Sequence, residues 1–172
     1  MARIIQRHEG HVYSVCLTPD GKHVVSGSQD KTIRITRIED GELVRVIKGH
    51  TGFVESVCET PNGKHIVSGS EDKSIRVNRI EDGELVRKIE GHKDWIRSVC
   101  VTPDGKRIVS GSTDETIRIT LNPVYLQQLH FFKRVFGQMA RNHLFFFGLK
   151  EYFKENPGMF RILAPRMFNL LV

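Results

Sequence analysis

LVRVIKGHTGFVESVCETPNGKHIVSGSEDKSIRVN, residues 43–78, is followed by LVRKIEGHKDWIRSVCVTPDGKRIVSGSTDETIRIT, residues 85–120, and residues 1–36 run in phase with both. The template returns every 42 residues. A period of that length belongs to units stacked as blades or solenoid turns, each burying its apolar face against the next.

Turn signals cut each period into pieces of strand length. Pro19-Asp20-Gly21, Pro61-Asn62-Gly63 and Pro103-Asp104-Gly105 fix one φ and then supply a residue free to take φ > 0, as a hairpin needs. Gln29-Asp30-Lys31, Glu71-Asp72-Lys73 and Thr113-Asp114-Glu115 mark a second turn, and Glu39-Asp40-Gly41-Glu42 and Glu81-Asp82-Gly83-Glu84 a third. Between them Val12–Thr18, His23–Ser28, Thr32–Ile38 and Leu43–Lys48 are rich in β-branched residues. Arg34 and Arg76 alternate with apolar neighbours in the period of two that a sheet imposes. The pattern excludes a helical solenoid and predicts blades of four antiparallel strands.

These residues resemble the WD-repeat family, whose blades carry Gly-His before the first strand and Ser, then Asp, around the second. Gly49-His50 and Gly91-His92 match, with Arg7-His8 in the first repeat; Ser26, Ser68 and Ser110 match, as do Asp30, Asp72 and Asp114. The resemblance covers residues 1–121 and implies an all-β fold of three four-stranded propeller-like blades in an incomplete ring. It also implies a structural role for His8, His50 and His92, rather than one as metal ligands or catalytic bases. The family's Trp-Asp pair is replaced by Thr36-Arg37, Asn78-Arg79 and Thr120-Leu121. A buried indole contributes about 150–250 Å² of contact and its loss costs about 3–5 kcal/mol. Either the surroundings have repacked around small residues or the blades are weak, with Arg37 and Arg79 covering the gap by their stems or lying at the surface.

Comparing the repeats separates fixed positions from free ones. His11, Phe53 and Trp95 share one free position; Tyr13, Glu55 and Arg97 share another. In the family such positions approach the face that grips partners. Aromatic anchors beside charged selectors suit partner binding. No nucleophile elbow, zinc-protease helix, phosphate loop or dinucleotide fingerprint occurs, so the reading is a non-enzymatic interaction module with no cofactor and no metal.

The formal charge of +6 is unevenly placed: residues 1–121 hold 19 Lys and Arg against 18 Asp and Glu, residues 122–172 hold 7 against 2. The basic excess therefore belongs to the tail. Cys16, Cys58 and Cys100 recur within Ser-Val-Cys and read as small buried hydrophobes, without disulfide or zinc spacing. They favour a reducing, cytoplasmic setting, and no apolar run suggests a signal peptide or a membrane span.

After Ile119 the repeat gives way at Leu121-Asn122-Pro123-Val124, and nine of the ten Phe lie beyond. Residues 122–172 read as an α-helical appendage: Asn122-Pro123 starts a helix, Pro157-Gly158 breaks one, and Tyr125, Leu129, Phe132, Phe136 and Met139 share a face. Phe145-Phe146-Phe147 interrupts that pattern, and Met159 to Val172 is apolar again. Three readings stay open for this segment: a helical cap on the blades, a membrane-surface or partner-binding element, or a junction to unrelated sequence. The main expectation is a protein-interaction scaffold; the alternative is an adaptor contacting membrane or RNA through the basic aromatic tail. Met1–Gln6 aligns with the outermost strand Leu43–Lys48, so two copies exchanging this segment could complete a six-bladed ring; the rival is a monomer whose tail covers the third blade.

Overall fold

The computed structural model describes residue 4 and residues 8–139, with side chains through Phe131. Among these residues eleven strands form in sequence: β1 (Val12–Leu17), β2 (His23–Ser28), β3 (Ile33–Arg37), β4 (Leu43–Ile47), β5 (Val54–Glu59), β6 (His65–Ser70), β7 (Ile75–Arg79), β8 (Leu85–Ile89), β9 (Ile96–Val101), β10 (Arg107–Ser112) and β11 (Ile117–Leu121). One helix, α1 (Pro123–Met139), follows. The strands make three antiparallel sheets, β1-β2-β3-β4, β5-β6-β7-β8 and β9-β10-β11. Strand ends fall within a residue of those expected from the turn signals.

The turns work as their residues require. Thr18 Oγ1 donates to Asp20 Oδ1 at 2.6 Å, the Gly21 amide donates to the Thr18 carbonyl at 2.8 Å, and Gly21 takes φ 68°. Thr60 with Asn62 and Thr102 with Asp104 repeat the bond at 2.7 and 2.6 Å. The register then places Ser26 opposite Arg34 and Ser68 opposite Arg76. A shift between Val12 and Ser14, repeated between Val54 and Ser56, bends the first strand of each full sheet.

Two apolar clusters sit between the sheets. Val25, Ile33, Ile35 and Ile47 of the first sheet meet Val54, Val57 and Ile66 of the second. Val67, Ile75 and Val77 of the second meet Ile96, Val99 and Ile108 of the third, joined by Val124. Alternation along each strand explains why these residues face the next sheet.

The third sheet has three strands among the described residues, where a full blade has four. Leu121 ends β11, and Pro123, with no N–H for a ladder and φ fixed near the helical value, opens α1 instead of a fourth strand. Asn122 is the cap: its Oδ1 accepts the Val124 amide at 3.0 Å and its carbonyl accepts Leu126 N–H at 3.1 Å. Its own amide donates to Lys106 O at 2.8 Å and Nδ2 to Gly105 O at 2.9 Å, tying the helix start to the β9–β10 turn.

The chain divides into two units, Met1–Leu126 and Gln127–Val172. The expected strand Met1–Gln6 and the features at Phe145-Phe146-Phe147, Pro157-Gly158 and Met159 to Val172 lie outside the described residues, apart from the exposed Ile4.

Candidate functional site

Each repeat closes on a His, Ser and Asp. His8 Nδ1 lies 2.8 Å from Asp30 Oδ2 and Nε2 2.7 Å from Ser26 Oγ. His50 repeats this with Asp72 and Ser68 at 2.7 and 2.9 Å, and His92 with Asp114 and Ser110 at 2.8 and 2.9 Å. A neutral imidazole fits by donating Nδ1–H to the carboxylate and accepting the serine O–H at Nε2. The aspartate also accepts from the turn: Asp72 takes the Thr51 amide at 3.1 Å, the Ser74 amide at 3.0 Å and Ser74 Oγ at 2.6 Å. Burial pushes Asp30 and Asp72 up, but hydrogen bonds from His and from Thr32 or Ser74 outweigh it and hold both carboxyls well below the usual range.

The atom order Asp–His–Ser is that of a hydrolytic triad. Here two of the three hydroxyls are inside: Ser68 and Ser110 are buried, so their Oγ cannot meet a substrate carbonyl, and Ser26 is half-buried. The arrangement clamps the segment before the first strand to the second strand and the following turn.

The cysteines depart from expectation. Cys16 and Cys58 are half-buried, packed against the edges of the first and second apolar clusters, and Cys100 is exposed. Burial, with Glu59 as a nearby negative charge, pushes the Cys16 thiol up to about 12; burial and the neighbouring Cys16 and Cys100 push Cys58 up to about 12. Both stay protonated at neutral pH and are poor nucleophiles.

The six free positions fall into two groups of contacts. The His11 and Tyr13 ring centroids are 6.3 Å apart, and Tyr13 stacks on Phe53 of the next repeat at 6.2 Å. Glu55, two residues on from Phe53, accepts from Arg97 Nη1 at 3.0 Å, and the Arg97 guanidinium lies 4.8 Å over the Trp95 ring. One contact set, His11–Tyr13–Phe53, thus links the first two repeats, and a second, Glu55–Arg97–Trp95, links the last two. His11, Tyr13, Trp95 and Arg97 are exposed, and Phe53 and Glu55 half-buried. Burial and the adjacent Glu55 raise the Glu71 carboxyl beside the second set, which Arg97 opposes.

Sequence reasoning passed over Glu59. It ends β5 where the template has Leu17 and Val101, and both its carboxylate oxygens are buried without a hydrogen-bond partner. Burial, then the charge of Asp20, pushes it up to about 7. The signal was an acid at a position otherwise apolar.

An open groove of about 550 Å³ lies where Asp30, Lys31 and Arg34 approach Lys48 and His50. Among the described residues no group of three or more His, Cys, Asp or Glu is placed to hold a metal ion.

Residues 2–36, 41–77 and 83–120 each match the family model of the WD domain, G-beta repeat. The chain belongs to the WD40 repeat family. Compared with curated proteins, it finds no match. WD40 repeats are generally non-enzymatic modules that bind other proteins. Relative to the WD40 pattern, the clamp forms here without its indole. Thr36 and Asn78 are buried at the Trp position, with Asn78 Nδ2 donating to Gly83 O at 3.0 Å, and Thr120 is half-buried. Arg37 pairs with Asp40 and Glu42, and Arg79 with Asp82 at 2.9 Å, so both guanidinium groups serve their own β-turns. Among the described residues no helix is long and apolar enough to cross a membrane.

Proposed function

We propose that this WD40 chain is a protein-interaction scaffold that grips its partner along the band His11–Tyr13–Phe53–Glu55–Arg97–Trp95. The observation that carries this reading is the pair of cross-repeat contacts at the free positions. Tyr13 meets Phe53 across the first two repeats and Arg97 meets Glu55 across the last two, at positions where the template leaves the residue type free. Stacked rings offer large, stiff contact area at low entropic cost, and an Arg held over Trp presents donors beside it. Such a surface suits an extended peptide segment carrying both apolar and acidic side chains.

A random-peptide phage library panned against the full chain supplies the probe. Selected peptides should lose at least about 1–2 kcal/mol of binding for each of Trp95→Ala and Phe53→Ala, with the circular dichroism spectrum unchanged. Full retention of binding by the double variant moves the contact off the band, with residues 122–172 the next segment to test.

A further inference from the structure

The two internal joints between sheets are copies of each other. At the first, a Cβ built on Gly27 would stand 2.7 Å from Val54 Cγ1 and 3.0 Å from Val57 Cγ1; at the second, one on Gly69 would stand 2.7 Å from Ile96 and 2.8 Å from Val99. Each joint also carries a cross-sheet hydrogen bond, the Val57 amide to Ser14 Oγ and the Val99 amide to Ser56 Oγ, both 3.1 Å. Each seats a proline beside the glycine of the next turn, Pro19 by Gly63 and Pro61 by Gly105.

Both halves of a third such joint are present and empty. Gly111 is the template equivalent of Gly27 and Gly69, and a Cβ there would meet nothing within 4 Å. Around it Ile117 and Ile119 are 76% and 67% exposed, whereas their equivalents Ile33 and Ile35 are 2% and 1% exposed. On the first sheet Val12 and Val15 are 50% and 64% exposed, whereas Val54 and Val57, their equivalents, are 0% and 5%. Gly21, equivalent to Gly63 and Gly105, also has nothing within 4 Å. The knobs are on the first sheet and the glycine-floored hole is on the third.

We propose that the β10–β11 face of one chain receives the β1 face of a second copy, and that two copies exchanging both faces close into a six-sheet ring. The occupant is fixed by continuity with the internal joints, since this chain's own β1 face already has the residues that the Gly111 face lacks. Ser98 Oγ would then accept the Val15 amide of the other copy. A joint that uses different patches on its two sides closes only when the rotations sum to a ring, and six sheets fall within the four to eight that closed propellers use.

Sedimentation equilibrium of the full chain at tens of micromolar, with two single variants, tests this. The wild type should give about twice 19.7 kDa. Gly111→Leu fills the hole at a position where the isolated chain has open space, and Val15→Lys charges the opposite knob. Both should give the monomer mass with unchanged far-ultraviolet circular dichroism. A monomeric wild type, or a ladder of larger species, overturns the ring. A dimer that survives both variants assigns association to another segment, and one that survives only one variant makes the contact symmetric; either result overturns the joint.

Discussion

Arg97 on β9 places its Nη1 3.0 Å from Oε2 of Glu55 on β5, joining the third sheet to the second while its guanidinium covers Trp95. Arg97 is exposed, so the pair is worth little to folding, under about 1 kcal/mol. Its larger effect is electrostatic, because Arg97 opposes the repulsion between Glu55 and Glu71. Arg97→Ala should leave the urea midpoint nearly unchanged and move the Glu71 titration to higher pH, read by carboxyl NMR. An unmoved Glu71 would mean that the guanidinium does not act there.

The His–Ser–Asp clamps should show themselves in stability. Asp72 accepts from His50, from Thr51 and twice from Ser74, so Asp72→Ala leaves several buried donors unmet. Hydrogen bonds to a charged group contribute about 1.5–3 kcal/mol net of water, and bonds that share one carboxylate do not add in full. A net loss of about 2–4 kcal/mol in urea unfolding is expected, and about 1–2 kcal/mol for Ser68→Ala. A loss below about 0.5 kcal/mol for Asp72→Ala would show that the clamp is not structural.

The sheets were legible because local chemistry and the repeat agree. Pro-Asp-Gly turns, β-branched runs and Asn122-Pro123 act over a few residues, so each can be read where it stands. The clamps were legible through recurrence, three copies of His, Ser and Asp at the same spacing. What recurrence hides is position in the stack: Val15 and Val57 look alike in sequence, yet one is exposed and the other buried, because among the described residues only the second has a preceding sheet to face. The Ser14 and Ser56 bonds to the next repeat were likewise read only as part of Ser-Val-Cys, since a bond to a residue 43 positions away has no local signature. Glu59 was hidden for the opposite reason, as a single exception inside a regular template.

The second turn of every repeat holds a non-glycine residue in the left-handed region: Lys31, Lys73 and Glu115, each at φ 66°. An L-residue there costs about 1–2 kcal/mol, which Asn relieves without the chain entropy of glycine. Glu115 is exposed, so its side chain can be exchanged with little other effect. Glu115→Asn should raise the unfolding free energy by about 0.5–1 kcal/mol, and Glu115→Val, β-branched at the same φ, should lower it. Thermal melts of the two variants moving in the same direction would count against a strained turn.

Glu59 gives the chain a pH dependence opposite in sign to that of the clamp aspartates. Its carboxyl is pushed from 4.5 to about 7 in the folded chain, first by burial and then by Asp20. The folded state therefore holds this proton more tightly than the unfolded chain. Its contribution is fully present below about pH 4.5, fades as pH rises, and is gone above about 7. Asp30 and Asp72 are lowered, so their contribution is present above the unfolded value of 3.8 and lost as pH falls below it. Glu59 by itself should accordingly lower stability between about pH 4.5 and 8, against the rise toward 6.5 that His65 adds, since burial lowers its imidazole. Glu59→Gln removes the ionisable group while keeping its shape. Discounted for the partial solvent access of the residue, it should gain about 1 kcal/mol at pH 8 and nothing below pH 4.5, flattening the curve between. Chemical denaturation at three pH values reads the difference, and equal gains at every pH would assign the effect to packing rather than to the buried charge.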